Sequence, residues 1–181
     1  MPIRSAYGAV PYPSLTFPQT NPDRLATMAA FFGMKPASPQ HCRALELGCG
    51  DGTNLISFAH LFPESEFIGV DLVENQISVA NETASTLALQ NIEFLQRDLI
   101  NVDTAELGKF DFIIAHGLYS WVPESVRERI LQIYANCLSP NGVGYISYNA
   151  FPGSHIRQMI DQMMKYRVAD ITDPSERVQK A

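Results

Sequence analysis

The sequence predicts an α/β fold, a mostly parallel sheet with helices on both faces. Three observations predict it. From Arg43 onward, short apolar runs alternate with stretches of helical periodicity. A cluster of glycines, Gly48, Gly50 and Gly52, follows the first of those runs. Finally, Gly48, Asp71, Asp98, His116 and Asn149 each follow a predicted strand. Open α/β sheets bind ligands beyond the carboxyl ends of their strands, so residues there are the candidates for chemistry.

The elements follow in order. Residues 1–20 carry Tyr7, Pro11, Tyr12, Pro13, Phe17 and Pro18 and read as an extended arm. Asn21 as N-cap and Pro22 as first residue open a helix whose inward face is Leu25, Met28, Ala29 and Phe32, closed by Gly33. A loop spans Pro36 to Pro39. Ala44 to Leu47 is the first strand, and Leu55, Ala59 and Phe62 share the face of the next helix, which Pro63 stops. Phe67 to Val70 is the second strand; Ile77, Ala80, Ala84 and Leu87 mark a second amphipathic helix. Ile92 to Leu95 and Phe110 to Ala115 are the third and fourth strands. Pro123 opens a helix with Val126, Ile130, Ile133 and Cys137 inward. Pro140-Asn141-Gly142 reads as a turn and Val143 to Tyr148 as the fifth strand. Ser154 caps a last long helix with Ile156, Ile160, Met163 and Met164 inward, and Asp173-Pro174-Ser175-Glu176 starts another. Strands joined by helices of this length imply βαβ crossovers and a parallel sheet.

Composition narrows the class. At 181 residues, 46% hydrophobic and 18% charged, the chain suits one globular domain and excludes disorder, collagen and coiled coil. The net charge is 13 − 19 = −6, so no general field attracts nucleic-acid phosphates, and no nucleic-acid partner is expected. The three cysteines, Cys42, Cys49 and Cys137, suit neither a disulfide framework nor a CxxC zinc site. His41, His60 and His155 have no metal-ligand spacing. No apolar run approaches the roughly 18 residues of a membrane span, and the N-terminus lacks a signal-peptide pattern. The expected location is cytoplasmic, with no membrane partner.

Leu45-Glu46-Leu47-Gly48-Cys49-Gly50-Asp51-Gly52 carries most of the functional information. Glycines after a first strand let the backbone turn sharply and approach a ligand. A dinucleotide loop, GxGxxG, requires glycine where this chain has Thr53, and no Gly-Lys-Ser/Thr ending makes a P-loop. Glu46 and Asp51 would repel a pyrophosphate and suit a ligand with a positive amino-acid end. Asp71, at the end of the second strand, can accept both hydroxyls of a ribose. Asp71 and Asp98 have an alternative reading as turn or cap residues, a common use of aspartate.

This pattern resembles motif I of the class I S-adenosylmethionine-dependent methyltransferases. The resemblance implies a Rossmann-like methyltransferase enzyme with S-adenosyl-L-methionine as cofactor. It implies a cofactor set of Glu46, Gly48, Cys49, Gly50, Asp71, Leu72, Asp98, Leu99 and His116, in which Asp98 accepts the adenine amino group and the Leu99 amide serves the ring. The Cys49 side chain itself reads as loop filling. The stretch Ala115 to Pro123 contains no Asn/Asp-Pro-Pro-Tyr segment, which argues against base-amino and amide substrates.

Tyr12-Pro13-Ser14, Asn21 to Ala26, Leu45 to Gly52, Ala115 to Pro123 and Ser147 to Gly153 occur in the same order in a narrower group. They resemble the catalytic domain of bacterial methyltransferases that carry a methyltransferase regulatory domain, which include rickettsial-type protein-lysine methyltransferases. The resemblance implies methyl transfer to lysine amines of a protein substrate. A small-molecule substrate, or a domain that binds cofactor without turnover, is the alternative. A lysine nucleophile must be neutral, and an apolar pocket beside a cation lowers its pKa. Tyr119 and Trp121 are candidates for that pocket wall, and His116 for a methionine-end contact or proton acceptor. Residues 1–40 would cap the cofactor site as an arm and helix, with Tyr7, Tyr12 and Arg24 near it. Residues 41–181 would form the core. The final strand 6–7 hairpin of the class finds no residues here. The expectation is therefore a core that a longer chain completes, with any C-terminal regulatory region outside it.

Overall fold

The computed structural model describes residues 15–180. They fall into two compact units, one ending at Tyr148 and the other beginning at Asn149. The first holds a five-stranded sheet in the order β3-β2-β1-β4-β5. Its strands are β1 Arg43–Leu47, β2 Glu66–Asp71, β3 Ile92–Gln96, β4 Phe110–Ala115 and β5 Leu138–Ile146, and every pairing is parallel. The predicted α/β sheet is therefore borne out, and the described residues form no sixth or seventh strand.

Side-chain alternation along β1 divides the core. Ala44 joins Phe67, Phe94 and Phe112 on one face, covered by α1 (Pro22–Phe31), α2 (Thr53–Leu61) and α3 (Glu74–Thr86). Leu45 and Leu47 join Val70, Ile113 and Ala115 on the other, covered by α4 (Thr104–Leu107) and α5 (Glu124–Cys137). Both faces are covered, and the central strands β1 and β4 are buried along most of their length. Glu46 shares the Ala44 face and is the one acidic residue among the buried polar side chains described.

Several expectations need correction. The buried face of α1 is Pro22, Leu25, Ala26 and Ala29, while Met28 and Phe32 are exposed. Asn21 does cap that helix, accepting from the Asp23 N–H at 2.9 Å, and Phe32 lies past its last turn as the C-cap residue. Leu87 lies past the end of α3, beyond the reach of the core, and is exposed. Pro140-Asn141-Gly142 does not precede β5 but lies within it. Between Phe110 and Phe112, β4 advances two residues while β5 advances from Leu138 to Val143, five residues, so β5 carries 5 − 2 = 3 extra. Asp111 fastens this irregularity, accepting from Ser139 Oγ at 2.9 Å and from the Arg43 N–H at 3.0 Å. Tyr148 lies past the strand, since β4 ends at Ala115 and offers no further partner backbone.

The second unit contains α6 (His155–Arg167) and α7 (Pro174–Lys180). Both predicted helices form, but the inward stripe is wrong. Ile156, Ile160, Met163 and Met164 are all exposed, and α6 has no buried residue. Helices of 13 and 7 residues are too little chain to enclose a core of their own.

One structural residue had no sequence signature. Asn91, just before β3, donates from Nδ2 to the carbonyls of Ala59 at 3.1 Å, Phe62 at 3.0 Å and Ser65 at 2.9 Å. It thereby ties the end of α2 and the turn into β2. Asn91→Ala leaves those carbonyls without their donor and is expected to cost about 1–3 kcal/mol, read as a lower urea midpoint with unchanged slope.

Candidate cofactor and substrate site

The chain runs from β1 outward to β3, then returns to β4 on the other side of β1. The crevice outside the carboxyl ends of β1 and β4 is thus the topological switch point. Three segments converge there: the glycine loop after β1, the end of β2, and the loop after β4.

The glycine loop takes left-handed conformations, with φ of +73° at Gly48 and +57° at Gly50. Open space surrounds the position of a Cβ at Gly50, whereas at Gly48 it would meet the Leu118 side chain at 3.1 Å. Asp71 fixes the loop's course. Its Oδ2 accepts from the Gly50 N–H at 2.9 Å and its Oδ1 from the Val73 N–H at 2.9 Å. Gly48 and Cys49 N–H groups both reach the Val70 carbonyl, at 2.8 and 3.2 Å. Cys49 is buried, and burial holds its thiol well above the ordinary range. Its side chain is inert packing beneath the loop, as expected of it.

Glu46 lies inside, 4% exposed. Its Oε1 accepts from Asn54 Nδ2 at 2.8 Å, while Oε2 is buried with no partner among the described residues. Burial pushes its carboxyl up from the ordinary 4.5 to about 8; the Asn54 bond works against this shift and nearby Asp71 adds to it.

Asn54 leads to the N-terminal segment. Its Oδ1 accepts from the Phe17 N–H at 2.9 Å, and its Nδ2 donates to Thr20 Oγ1 at 3.1 Å. The Phe17 ring packs on His116, 4.0 Å between centroids. His116 follows β4, is half-buried, and also lies beside Tyr145, whose hydroxyl is 3.4 Å from Nδ1. Burial lowers the His116 pKa and favours the neutral ring. Tyr145 is held in turn by Tyr134, which donates to its carbonyl at 2.8 Å.

The remaining expected residues are less concentrated. Leu72 is half-buried, and its carbonyl accepts from Gln96 Nε2 at 3.1 Å. Asp98 Oδ1 accepts from the Ile100 N–H at 3.2 Å, capping the short 3-10 turn Leu99–Asn101, so it does perform the alternative cap role. Leu99 is buried in the core face of α5. Tyr119 and Trp121 share a 3-10 turn after β4. Tyr119 packs against that same core face, whereas Trp121 is 53% exposed. Neither ring stacks on His116. Arg24 is exposed on α1. Tyr7 and Tyr12 lie outside the described residues.

Sequence reasoning missed Phe17, Thr20, Asn54 and Tyr145. Asn54 did leave a signal, a lone amide directly before the apolar pair Leu55-Ile56 and near Phe58. Such a residue, when buried, must have partners.

A family model described as a methyltransferase domain matches residues 38–179. The chain belongs to that family. It is a class I S-adenosylmethionine-dependent methyltransferase domain, and its cofactor is S-adenosylmethionine. The domain is similar to PKMT2 from Rickettsia typhi in complex with AdoHcy, with a TM-score of 0.83 and 37% identity, covering 90% of this chain and 31% of that one. It is 36% identical over 176 residues to the uncharacterized protein RP028 of Rickettsia prowazekii, covering 97% of this chain and 70% of the relative. It is 42% identical over 172 residues to RP789 of the same organism, covering 95% of this chain and 31% of the relative. The methyltransferase domain thus spans about a third of RP789 and of PKMT2. Among its described residues, no helix is long and apolar enough to cross a membrane.

Proposed function

We propose that this domain transfers methyl groups to lysine side-chain amines of a protein. The residues present fit the cofactor. Glu46 Oε2 is a buried acceptor without a donor, and the cofactor brings a cationic amino group. The two oxygens of Asp71 each hold one N–H; a carboxylate oxygen has a second lone pair, which leaves both able to accept ribose hydroxyls. Gly48, Cys49, Gly50 and Leu72 line this approach with backbone, and Asp98 with the Leu99 amide serves the adenine. Residues 15–20 reach the site through Phe17, which bonds Asn54 and packs on His116; a capping role for residues 1–40 is part of this proposal.

When bound, S-adenosylmethionine supplies an electrophilic methyl group. The chain's own part is to position an amine and keep it neutral, against a free lysine pKa of about 10.4. The observation that carries the lysine reading is the loop after β4. There a neutral-favouring, half-buried His116 is followed on the same loop by the exposed indole of Trp121. His116 can accept the proton the amine gives up, and the faces of Trp121 and Tyr119 can hold an alkylammonium group. The likeness to PKMT2 and the His116-to-Pro123 resemblance support the same reading, as they support a protein partner over nucleic acid.

The test is to incubate the protein with deuterated-methyl S-adenosylmethionine and a bacterial lysate, then map label by mass spectrometry. Label on protein lysines is the expected result. Label in small molecules with an unmodified proteome would overturn the lysine reading while leaving the cofactor intact. Trp121→Ala is expected to raise KM for the protein substrate about tenfold and leave S-adenosylhomocysteine affinity unchanged.

A further inference from the structure

Asn54 makes its two kinds of contact with a single amide. Its carbonyl oxygen faces a donor, the Phe17 N–H at 2.9 Å. Its nitrogen faces acceptors, Glu46 Oε1 at 2.8 Å and Thr20 Oγ1 at 3.1 Å. Thr20 Oγ1 passes its own hydrogen to the Phe17 carbonyl at 2.8 Å. Flipping the amide would set its NH2 against the Phe17 N–H and its carbonyl against Glu46 Oε1. Thr20 Oγ1, also 3.4 Å from Oδ1, suits either orientation, so Phe17 and Glu46 choose the one observed. Asn54 and Thr20 are 4% and 0% exposed, where water cannot replace a lost partner. One end of this network is the Glu46 carboxyl, whose second oxygen has no partner among the described residues. The other end is the segment whose Phe17 ring lies on His116.

We infer that Asn54 is a positioning residue that couples cofactor binding at Glu46 to closure of residues 15–20 over His116. With a cation at Oε2, Glu46 is held as the carboxylate, and the bond from Asn54 becomes charge-assisted and stronger. A more firmly held Asn54 is a better acceptor anchor for the Phe17 N–H. Residues 15–20 then close on His116 when the cofactor is present and relax when it leaves. By reciprocity, their closure favours cofactor binding by the same factor. The inference rests on the cofactor assignment and is independent of the lysine reading.

Other groups also face Glu46. Asp71 stands at the end of β2, Cys49 in the glycine loop and Tyr134 on α5. Burial raises the pKa of both the thiol and the phenol, and the nearby Asp71 charge adds to the rise at Glu46.

The test compares wild type, Asn54→Ala and Asn54→Asp by calorimetry with S-adenosylhomocysteine and by amide hydrogen exchange at Phe17 and Thr20. In wild type, ligand is expected to slow exchange at both amides. Asn54→Ala should weaken affinity about tenfold or more and abolish that ligand-dependent slowing. Asn54→Asp keeps the size and the acceptor for Phe17 but removes the donor to Glu46 and adds a competing carboxylate. It should keep the amides protected without ligand, weaken binding about tenfold, and move the pH at which binding levels off upward. A purely structural Asn54 predicts that the Asp variant binds with wild-type affinity and pH profile, and that result would overturn the inference. So would ligand-dependent slowing that survives in Asn54→Ala. A wild-type protein that folds but does not bind S-adenosylhomocysteine would overturn the cofactor assignment itself, and the inference with it.

Discussion

S-adenosylhomocysteine is expected to bind this protein up to about fiftyfold more tightly at pH 8 than at pH 6. The cause is Glu46, whose carboxyl burial has pushed to about 8. In the free protein at pH 6 that group carries a proton. The ligand's ammonium needs the ionised form, so binding at pH 6 must first expel the proton. A bound cation lowers the carboxyl pKa, and affinity therefore rises with pH until the free-state value is reached, then flattens. The sign for stability is opposite. Between the unfolded value of 4.5 and about 8 the native state holds the extra proton, so the free protein loses stability as pH rises through that window. Calorimetry in two buffers of different ionisation enthalpy reads the proton released per ligand bound. Glu46→Gln presents an amide where the ammonium arrives. It should bind about a hundredfold more weakly at pH 8, with a flat pH profile and no proton release. A wild-type affinity that does not change with pH would remove Glu46 from the ligand site.

Gly52→Ala is expected to cost about 3 kcal/mol of stability, combining left-handed strain with overpacking. Gly52 has φ of +76°, and a Cβ there would come within 2.4 Å of the Phe94 ring and 3.0 Å of Ala80 Cβ. Phe94 is 5% exposed and has no room to retreat. Gly50→Ala makes the control. Its φ is +57° but nothing lies within 4 Å of the added methyl, so only the backbone strain of about 1 kcal/mol remains. Urea unfolding of the two variants separates steric from conformational cost. Adding Phe94→Leu to Gly52→Ala should recover part of the loss; no recovery would mean the clash is not what destabilises the variant. The last glycine of the motif thus serves the packing of α2 and α3 against the sheet, and Gly50 serves the open side of the loop.

The residues of the site that can be read in the sequence are those set by local pattern. Strand ends and the glycine loop announce themselves because backbone geometry demands particular residues at particular spacings. Asp71 was legible because a strand of known length ends there, although its grip on the Gly50 N–H was not. Asn54, Thr20 and Phe17 belong together only through contacts 34 and 37 residues apart in sequence, and no periodicity encodes such a pairing. The three extra residues of β5 hid for a related reason. Pro140-Asn141-Gly142 has turn chemistry, and only the pairing with β4 shows that the strand runs through it. Ile156, Ile160, Met163 and Met164 on α6 are exposed where the sequence puts them inward, because helical periodicity fixes which face could be covered and not whether it is.

Trp121 has a practical consequence. It is the chain's one tryptophan, and it stands half-open on the loop after β4. Excited at long wavelength, these 181 residues therefore emit from a single indole on the loop after β4. Its colour, anisotropy and quenching by acrylamide report on that loop alone, with no background to subtract. The domain carries its own optical reporter, on the loop that the proposed lysine reading assigns to the substrate.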